Sequence, residues 1–255
     1  MSKDWTALVL AASRAGDPLA IAENVSNKTL VDVHGRSILQ RVIDALDEAP
    51  NVGRVVVAIE DVSLIRGLDP KPEVIKASNR VVETVRAALE QLGSPLLIVT
   101  GDHALLTSEM VESFLSESLK VGAGVSVAMA SESVIRPAYP DVKRTYIKFA
   151  DGGYSGCNLF ALANSGANQA LDFWHEIDRN RKRPWAFFKA IDLWAFILYA
   201  VRRLTLDKAM DRLSKKIGIK AAVIRMPMPE AAIDVDKMSD LKLVRKIIGG
   251  RKNSI

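Results

Sequence analysis

The chain has 255 residues, 49% of them hydrophobic, with 35 lysines and arginines against 30 aspartates and glutamates and a single cysteine. That is enough apolar material for one substantial core, and the lone Cys157 excludes an intramolecular disulfide framework and fits a reducing compartment. The formal charge of +5 and the pI near 9.3 suit anionic substrates, while the absence of any zinc-finger, RNA-recognition or helix-turn-helix signature argues against nucleic acid as a partner.

The first residues lead directly into a strand-like run without an apolar signal region, so the reading is cytoplasmic. Residues 6–12 (TALVLAA) form a short continuous apolar run, the pattern of a strand buried on both faces of a parallel sheet. A long polar loop follows. Ser37 then caps a helix whose apolar positions Ile38, Leu39, Val42, Ile43 and Leu46 recur at helical spacing. Residues 55–59 read as a second buried strand. Residues 79–92 read as a helix with Val82, Val85, Ala88 and Leu89 inward, ended by Gly93. Residues 96–100 (LLIVT) are a third strand, Thr107 or Ser108 caps a helix over 109–119, and 125–129 are a fourth strand. This β-α-β-α-β-α-β order at short spacing predicts an α/β fold, a three-layer α/β/α arrangement on a mostly parallel twisted sheet.

The second half is less regular. Strands are expected at 146–149 and 158–161 on either side of a Gly-rich turn at 151–156. Helices are expected at 166–181, 185–203 and 206–217, the last stopped by Gly218. A strand at 221–225 and a closing helix at 239–248 complete the chain. The helices between about 166 and 217 form an insert.

Ligands of an open parallel sheet gather beyond the carboxyl ends of its strands, so the residues that follow each strand are the ones to inspect. After the first strand, 13–20 and the loop on to Lys28 offer Gly16 for close backbone approach, exposed N–H groups, and two cations in Arg14 and Lys28. This is neither a Walker loop nor a GxGxxG fingerprint, and an ordinary surface loop reads equally well. After the third strand comes Gly101-Asp102. Asp102 is placed where a hard cation is commonly held, or where an aspartate caps a turn. Near the C-terminus Asp234 and Asp236 point the same way on an extended chain; Asp236 or Ser239 could instead cap the last helix. His34, His103 and His175 share no metal-ligand spacing, and Cys157 has no partner that suggests a nucleophile.

Taken together these residues resemble the GT-A-like nucleotidyltransferase superfamily, in the MobA-like branch that includes the molybdenum-cofactor nucleotidyltransferases. Leu10-Ala-Ala-Ser-Arg-Ala-Gly16 stands for the family's opening Leu-Ala-Ala/Gly-Gly-x-Gly-x-Arg. Lys28-Thr-Leu-Val-Asp-Val-His-Gly35 stands for its lysine and following turn, Gly101-Asp-His-Ala-Leu-Leu-Thr107 for its Gly-Asp-x-Pro-Leu-Leu-Thr, and Asp234-Val-Asp236 for its late acidic pair. Ser13 departs from a family glycine, and Gly16-Asp-Pro-Leu-Ala20 replaces the usual stretch before the lysine.

The resemblance implies a GT-A/Rossmann-like domain over 1–255, with an NTP-binding half at 1–130 and an acceptor-binding half at 131–255. It implies transfer of a nucleotidyl group from an NTP, CTP or GTP favoured, to a phosphorylated acceptor with release of pyrophosphate. Arg14, Lys28, Asp102 and Asp236 would be the catalytic set, with Mg²⁺ held by Asp102 and Asp236 and Asp234 as a further ligand. Ala11, Ala12, Ser13, Gly16, Asp17, Ser78, Asn79, Thr84 and Gly101 would contact the nucleotide, and Lys143, Arg144, Gly156 and Asn158 the acceptor. A GT-A glycosyltransferase and a non-catalytic nucleotide-binding protein are the rival readings. The first would need its Asp-x-Asp in mid-chain.

Residues 179–203 join a basic cluster to an apolar, aromatic-rich helix. The segment reads as a helix packed in the core, as part of a homodimer interface (the chain being a monomer or homodimer), or as a peripheral contact with a membrane or a lipid-headgroup acceptor. Lys189 and Asp192 argue against a spanning helix.

Overall fold

A computed structural model describes residues 4–69, 71–164, 166–178 and 184–252. In chain order its elements are β1 (Trp5–Leu10), α1 (Pro18–Ala22), β2 (Asp32–Val33), β3 (Arg36–Ser37), α2 (Ile38–Asp47), β4 (Val52–Ile59), β5 (Glu73–Lys76), α3 (Val81–Leu92), β6 (Leu96–Thr100) and α4 (Ser108–Val121). There follow β7 (Val125–Ser131), α5 (Glu132–Ala138), β8 (Ile147–Phe149), β9 (Gly152–Leu162), α6 (Ala167–Asp178), α7 (Pro184–Ile191), α8 (Leu193–Ala200), α9 (Leu206–Ile217), β10 (Ala221–Arg225) and α10 (Met238–Lys252). The chain divides into two compact units, one of Met1–Leu92, Leu96–Glu112 and Ile233–Ile255, the other of Gly93–Pro95 and Ser113–Ala232.

In the first unit the strands run β5-β4-β1-β6, all parallel. The continuous apolar runs predicted this, because strands covered on both faces cannot alternate with polar residues. Ala7, Leu8, Val9 and Leu96 through Val99 are fully buried. Helix α2 begins where Ser37 Oγ accepts from Gln40 N, and turns Ile38, Leu39, Val42, Ile43 and Leu46 into the core. Gly93 follows the last residue of α3 with a φ of +78°, a left-handed conformation that glycine adopts without a Cβ clash.

In the second unit β10 pairs parallel with β7, while β9 pairs antiparallel with both β7 and β8. Counted over both units the strands of the main sheet pair mostly in parallel, in the α/β class expected. Strand β9 starts at Gly152 and runs through the glycines that the sequence suggested were a turn. At Gly153 a Cβ would lie 2.6 Å from Glu132 Oε2 and 2.9 Å from Lys148 Nζ, both ends of flexible side chains that would have to shift.

The helix expected over 185–203 is two helices. Asp192 breaks it, leaving the helical backbone at φ −166° and accepting from Ala195 N at 2.6 Å to cap α8, while Arg212 Nη1 reaches the same carboxylate at 3.0 and 2.9 Å. A short carboxylate that can bond the next turn's N–H competes with helix continuation. The buried side of the pair joins Phe188, Ile191, Ala195 and Leu204 in a core with Ile217 and Ala221, where Phe188 stacks on Tyr199 at 3.9 Å between ring centroids. We expect Asp192→Ala to cost about 1 kcal/mol in chemical denaturation, nearly all of it from the lost cap, because a partly exposed ion pair adds little. Asp192→Asn, which keeps a capping oxygen, should retain most of that stability. Among the described residues no helix is long and apolar enough to cross a membrane.

Candidate active site

The site lies in the first unit, at the carboxyl ends of β1 and β6. These strands pair in register from Thr6 with Leu96 to Leu10 with Thr100, and Gly101 N donates to Leu10 O at 2.9 Å. A Cβ at Gly101 would stand 3.1 Å from Ala11 Cα and 3.2 Å from Thr29 Cγ2, so the glycine lets the two strand ends and the Lys28 segment close on one another. The next residue, Asp102, is fixed on two sides. Thr100 Oγ1 donates to its Oδ1 at 2.6 Å, and its carbonyl accepts from Val235 N at 3.0 Å. That second bond brings the late acidic stretch to the end of β6.

Lys28 Nζ sits between two carboxylates, 2.7 Å from Asp102 Oδ2 and 2.7 Å from Asp236 Oδ1. The side chains of Lys28 and Asp102 are only 16% and 14% exposed, whereas that of Asp236 is 64% exposed. Burial opposes the charge on Lys28, but Asp102 and then Asp236 outweigh it and hold the ammonium above its ordinary pKa. Lys28 therefore stays protonated. Of the two late aspartates, Asp236 reaches Lys28. At the start of α10, Asp240 Oδ2 accepts from Asp236 N and Lys237 N. The cap comes from Asp240, not from Asp236 or Ser239.

Lys28 is aimed by a residue the sequence reading passed over. Asn27 is completely buried and fully engaged: Nδ2 donates to Ala11 O and to Glu60 Oε1, both at 2.9 Å, and Oδ1 accepts from Thr29 N and Thr29 Oγ1, both at 2.8 Å. Glu60, just beyond β4, also accepts from Ser13 N at 3.2 Å. One carboxylate thus ties the loop after β1 to the turn that carries Lys28. The signals were present, since Glu60 follows the second strand as Asp102 follows the third, and Asn27 caps the short turn of Lys28–Leu30.

The other expected site residues divide. Arg14, Ala12 and Gly16 are exposed on the loop after β1, and Ser13 Oγ is buried with no hydrogen bond to the described residues. Ala11 N is engaged by Ala58 O, and Asp17 by Leu19 N and Ala20 N, which it caps at the start of α1. Ser78 and Asn79 are exposed beyond β5. Thr84 is buried, with its hydroxyl accepting from Ser78 N and donating to Arg80 O, so it shapes that loop. In the second unit Lys143 and Arg144 line a cavity of about 760 Å³ with Arg136, Lys148, Glu132 and Tyr146. Gly156 and Asn158 lie on β9 at a bulge, where the pairing with β7 shifts register and Asn158 adopts a φ of +55°.

Residues 7–171 match the MobA-like NTP transferase domain. The chain belongs to that family. It is a nucleotidyltransferase, and the glycosyltransferase and non-catalytic readings are set aside. The matched stretch of the MobA-like domain contains Lys28 and Asp102; Asp236 lies beyond it. Over 250 residues, 90% of each chain, it is 24% identical to the 3-deoxy-manno-octulosonate cytidylyltransferase of Rhodospirillum centenum. A hypothetical transferase from Thermus thermophilus superposes with a TM-score of 0.80 at 28% identity, covering 93% of this chain and 99% of that one. At 13% identity, and so for the fold alone, a CMP:2-keto-3-deoxy-manno-octonic acid synthetase complexed with CTP superposes with a TM-score of 0.59 over 97% and 99% of the two chains.

Proposed function

We propose that the chain transfers CMP from CTP to an anionic acceptor, with Mg²⁺ as the accompanying cation. The observation that carries the reading is Lys28 held between Asp102 and Asp236 at the carboxyl ends of β1 and β6. The cytidylyltransferase likeness over 90% of the chain supports the choice of base.

The residues fit the cation. Two carboxylate oxygens already converge on one positive centre, and no group of three or more His, Cys, Asp or Glu that could hold a metal occurs among the described residues. Mg²⁺ is the ion that suits such a site, since it is typically held by one or two carboxylates together with substrate phosphates and water. When bound it supplies neutralisation of phosphate charge.

The chain's own groups do the rest. Lys28 presents a permanent positive charge to the phosphates, and the exposed Arg14 adds another from the loop after β1. Ser13 Oγ supplies a buried hydroxyl to the nucleotide. An acceptor oxygen attacks the α-phosphorus, a new O–P bond forms, the bond to the β-phosphate oxygen breaks, and pyrophosphate leaves. Such a step is promoted by positioning and charge, not by a covalent enzyme intermediate. The cavity in the second unit, where Lys143 and Arg144 stand with Arg136 and Lys148, the last two paired with Glu132, holds an excess of cations that suits an acceptor bearing a carboxylate or phosphate.

The test is pyrophosphate release from each of the four NTPs with Mg²⁺ and a panel of sugar acids, sugar phosphates and lipid-headgroup phosphates. Release with CTP and an anionic acceptor is the expected result. Preference for GTP would overturn the base, and release with neutral acceptors alone would overturn the acceptor class.

A further inference from the structure

Helix α8 carries an apolar face that the second unit leaves uncovered. Its residues advance by about 100° each around the axis, which puts Leu193, Trp194, Ile197, Ala200 and Val201 within an arc of about 120°. All five are exposed, with Leu193 at 66%, Trp194 at 63% and Val201 at 56%. The opposite side holds Ala195, wholly buried, and Tyr199, which stacks on Phe188. No charged residue interrupts the exposed arc. The one acid at this helix, Asp192, is occupied by the cap and by Arg212. Arg202 and Arg203 follow the helix and are exposed, as is Lys189 on α7. The run Arg179, Arg181, Lys182 and Arg183 precedes α7 in the sequence, and its placement lies outside the described residues.

We propose that this face docks on the surface of an anionic phospholipid bilayer. A short helix with a tryptophan and branched aliphatics on one side and arginines at its end matches the interfacial mode, in which apolar side chains enter the acyl boundary while cations meet anionic headgroups. Trp194 is the residue type favoured at that depth. A second copy of the chain is the poorer occupant. Four side chains on one eight-residue helix and a fifth at its C-cap fall far short of the roughly 20–30 residues a side of a stable protein interface, and two copies would bring like charges together.

The experiment is co-sedimentation of the whole protein with phosphatidylcholine vesicles and with vesicles that also contain phosphatidylglycerol, without nucleotide, so that the outcome is independent of the transfer reaction. Binding is expected only to the anionic vesicles and should fall as salt is raised. Trp194→Ser with Ile197→Ser should weaken it at least about tenfold, and Arg202→Glu with Arg203→Glu should weaken it without changing the melting temperature. Should the first pair lower the melting temperature, Leu193→Ser with Val201→Ser tests the same face. No binding to anionic vesicles, or equal binding by the apolar-face variants, overturns the proposal. So does a dimer in sedimentation equilibrium that those variants dissolve.

Discussion

Asp102→Ala is expected to lower nucleotidyl transfer on the order of 10²-fold or more, with the fold retained. The residue lies just beyond β6, holds Lys28 through Oδ2, and through its carbonyl anchors Val235 and with it the Asp236 segment. The alanine variant keeps the backbone bond to Val235, so the loss isolates the carboxylate. Lys28→Met should fall by a similar factor for a different reason, and a thermal-shift titration separates the two. Removing Lys28 leaves two carboxylates facing each other with no cation between them, so Mg²⁺ should raise the melting temperature of Lys28→Met more than that of the parent chain. Asp102→Ala should show little Mg²⁺ response. Parent-like turnover in either variant would take that residue out of the machinery; an unaltered Mg²⁺ response in both would separate the pair from the metal.

Asn27→Ala should destabilise the chain by about 3 kcal/mol and reduce turnover as well. Four hydrogen bonds are lost in a fully buried place, and Ala11 O and Thr29 N are left without partners where water does not reach. The loss is larger than for a surface asparagine because the cost comes from stranded backbone groups and not only from the bonds themselves. Lys28, the next residue, then loses its fixed direction. Urea unfolding gives the stability and steady-state kinetics the rest, with kcat falling more than the affinity for CTP. A loss under about 1 kcal/mol would mean that other groups satisfy Ala11 O and Thr29 N.

The buried strands and their order were legible in the sequence because a short apolar run with no alternation needs cover on both faces, which a parallel sheet between helix layers supplies. The helix ends at Ser37, Gly93 and Gly218 were legible for the same kind of reason, each being a local chemical device. What was missed depended on shorter or more distant signals. Strand β5 is four half-exposed residues with a lysine and a glutamate at its ends, and gives no apolar run to find. Helix α1 announced itself in Asp17-Pro18, an N-cap followed by a proline at the first turn, yet it lies in a stretch whose place after the first strand made it look like a ligand loop. Asn27 and Glu60 are polar residues 33 positions apart, whose roles exist only once β1 and β4 stand side by side.

The carbonyl of Asp102 reaching Val235 has a consequence for the order in which the chain is made. A nascent polypeptide presents Lys28 and Asp102 early, then Ser113–Ala232 of the second unit, and only afterwards the stretch from Ile233 that returns to the first. Until that stretch arrives, Lys28 has one carboxylate in place of two, and the Asp102 carbonyl lacks its Val235 N partner. On the proposed reading of the site, the acidic pair is complete only once the stretch from Ile233 has been made, and a polypeptide halted after Ala232 would carry Asp102 without Asp236.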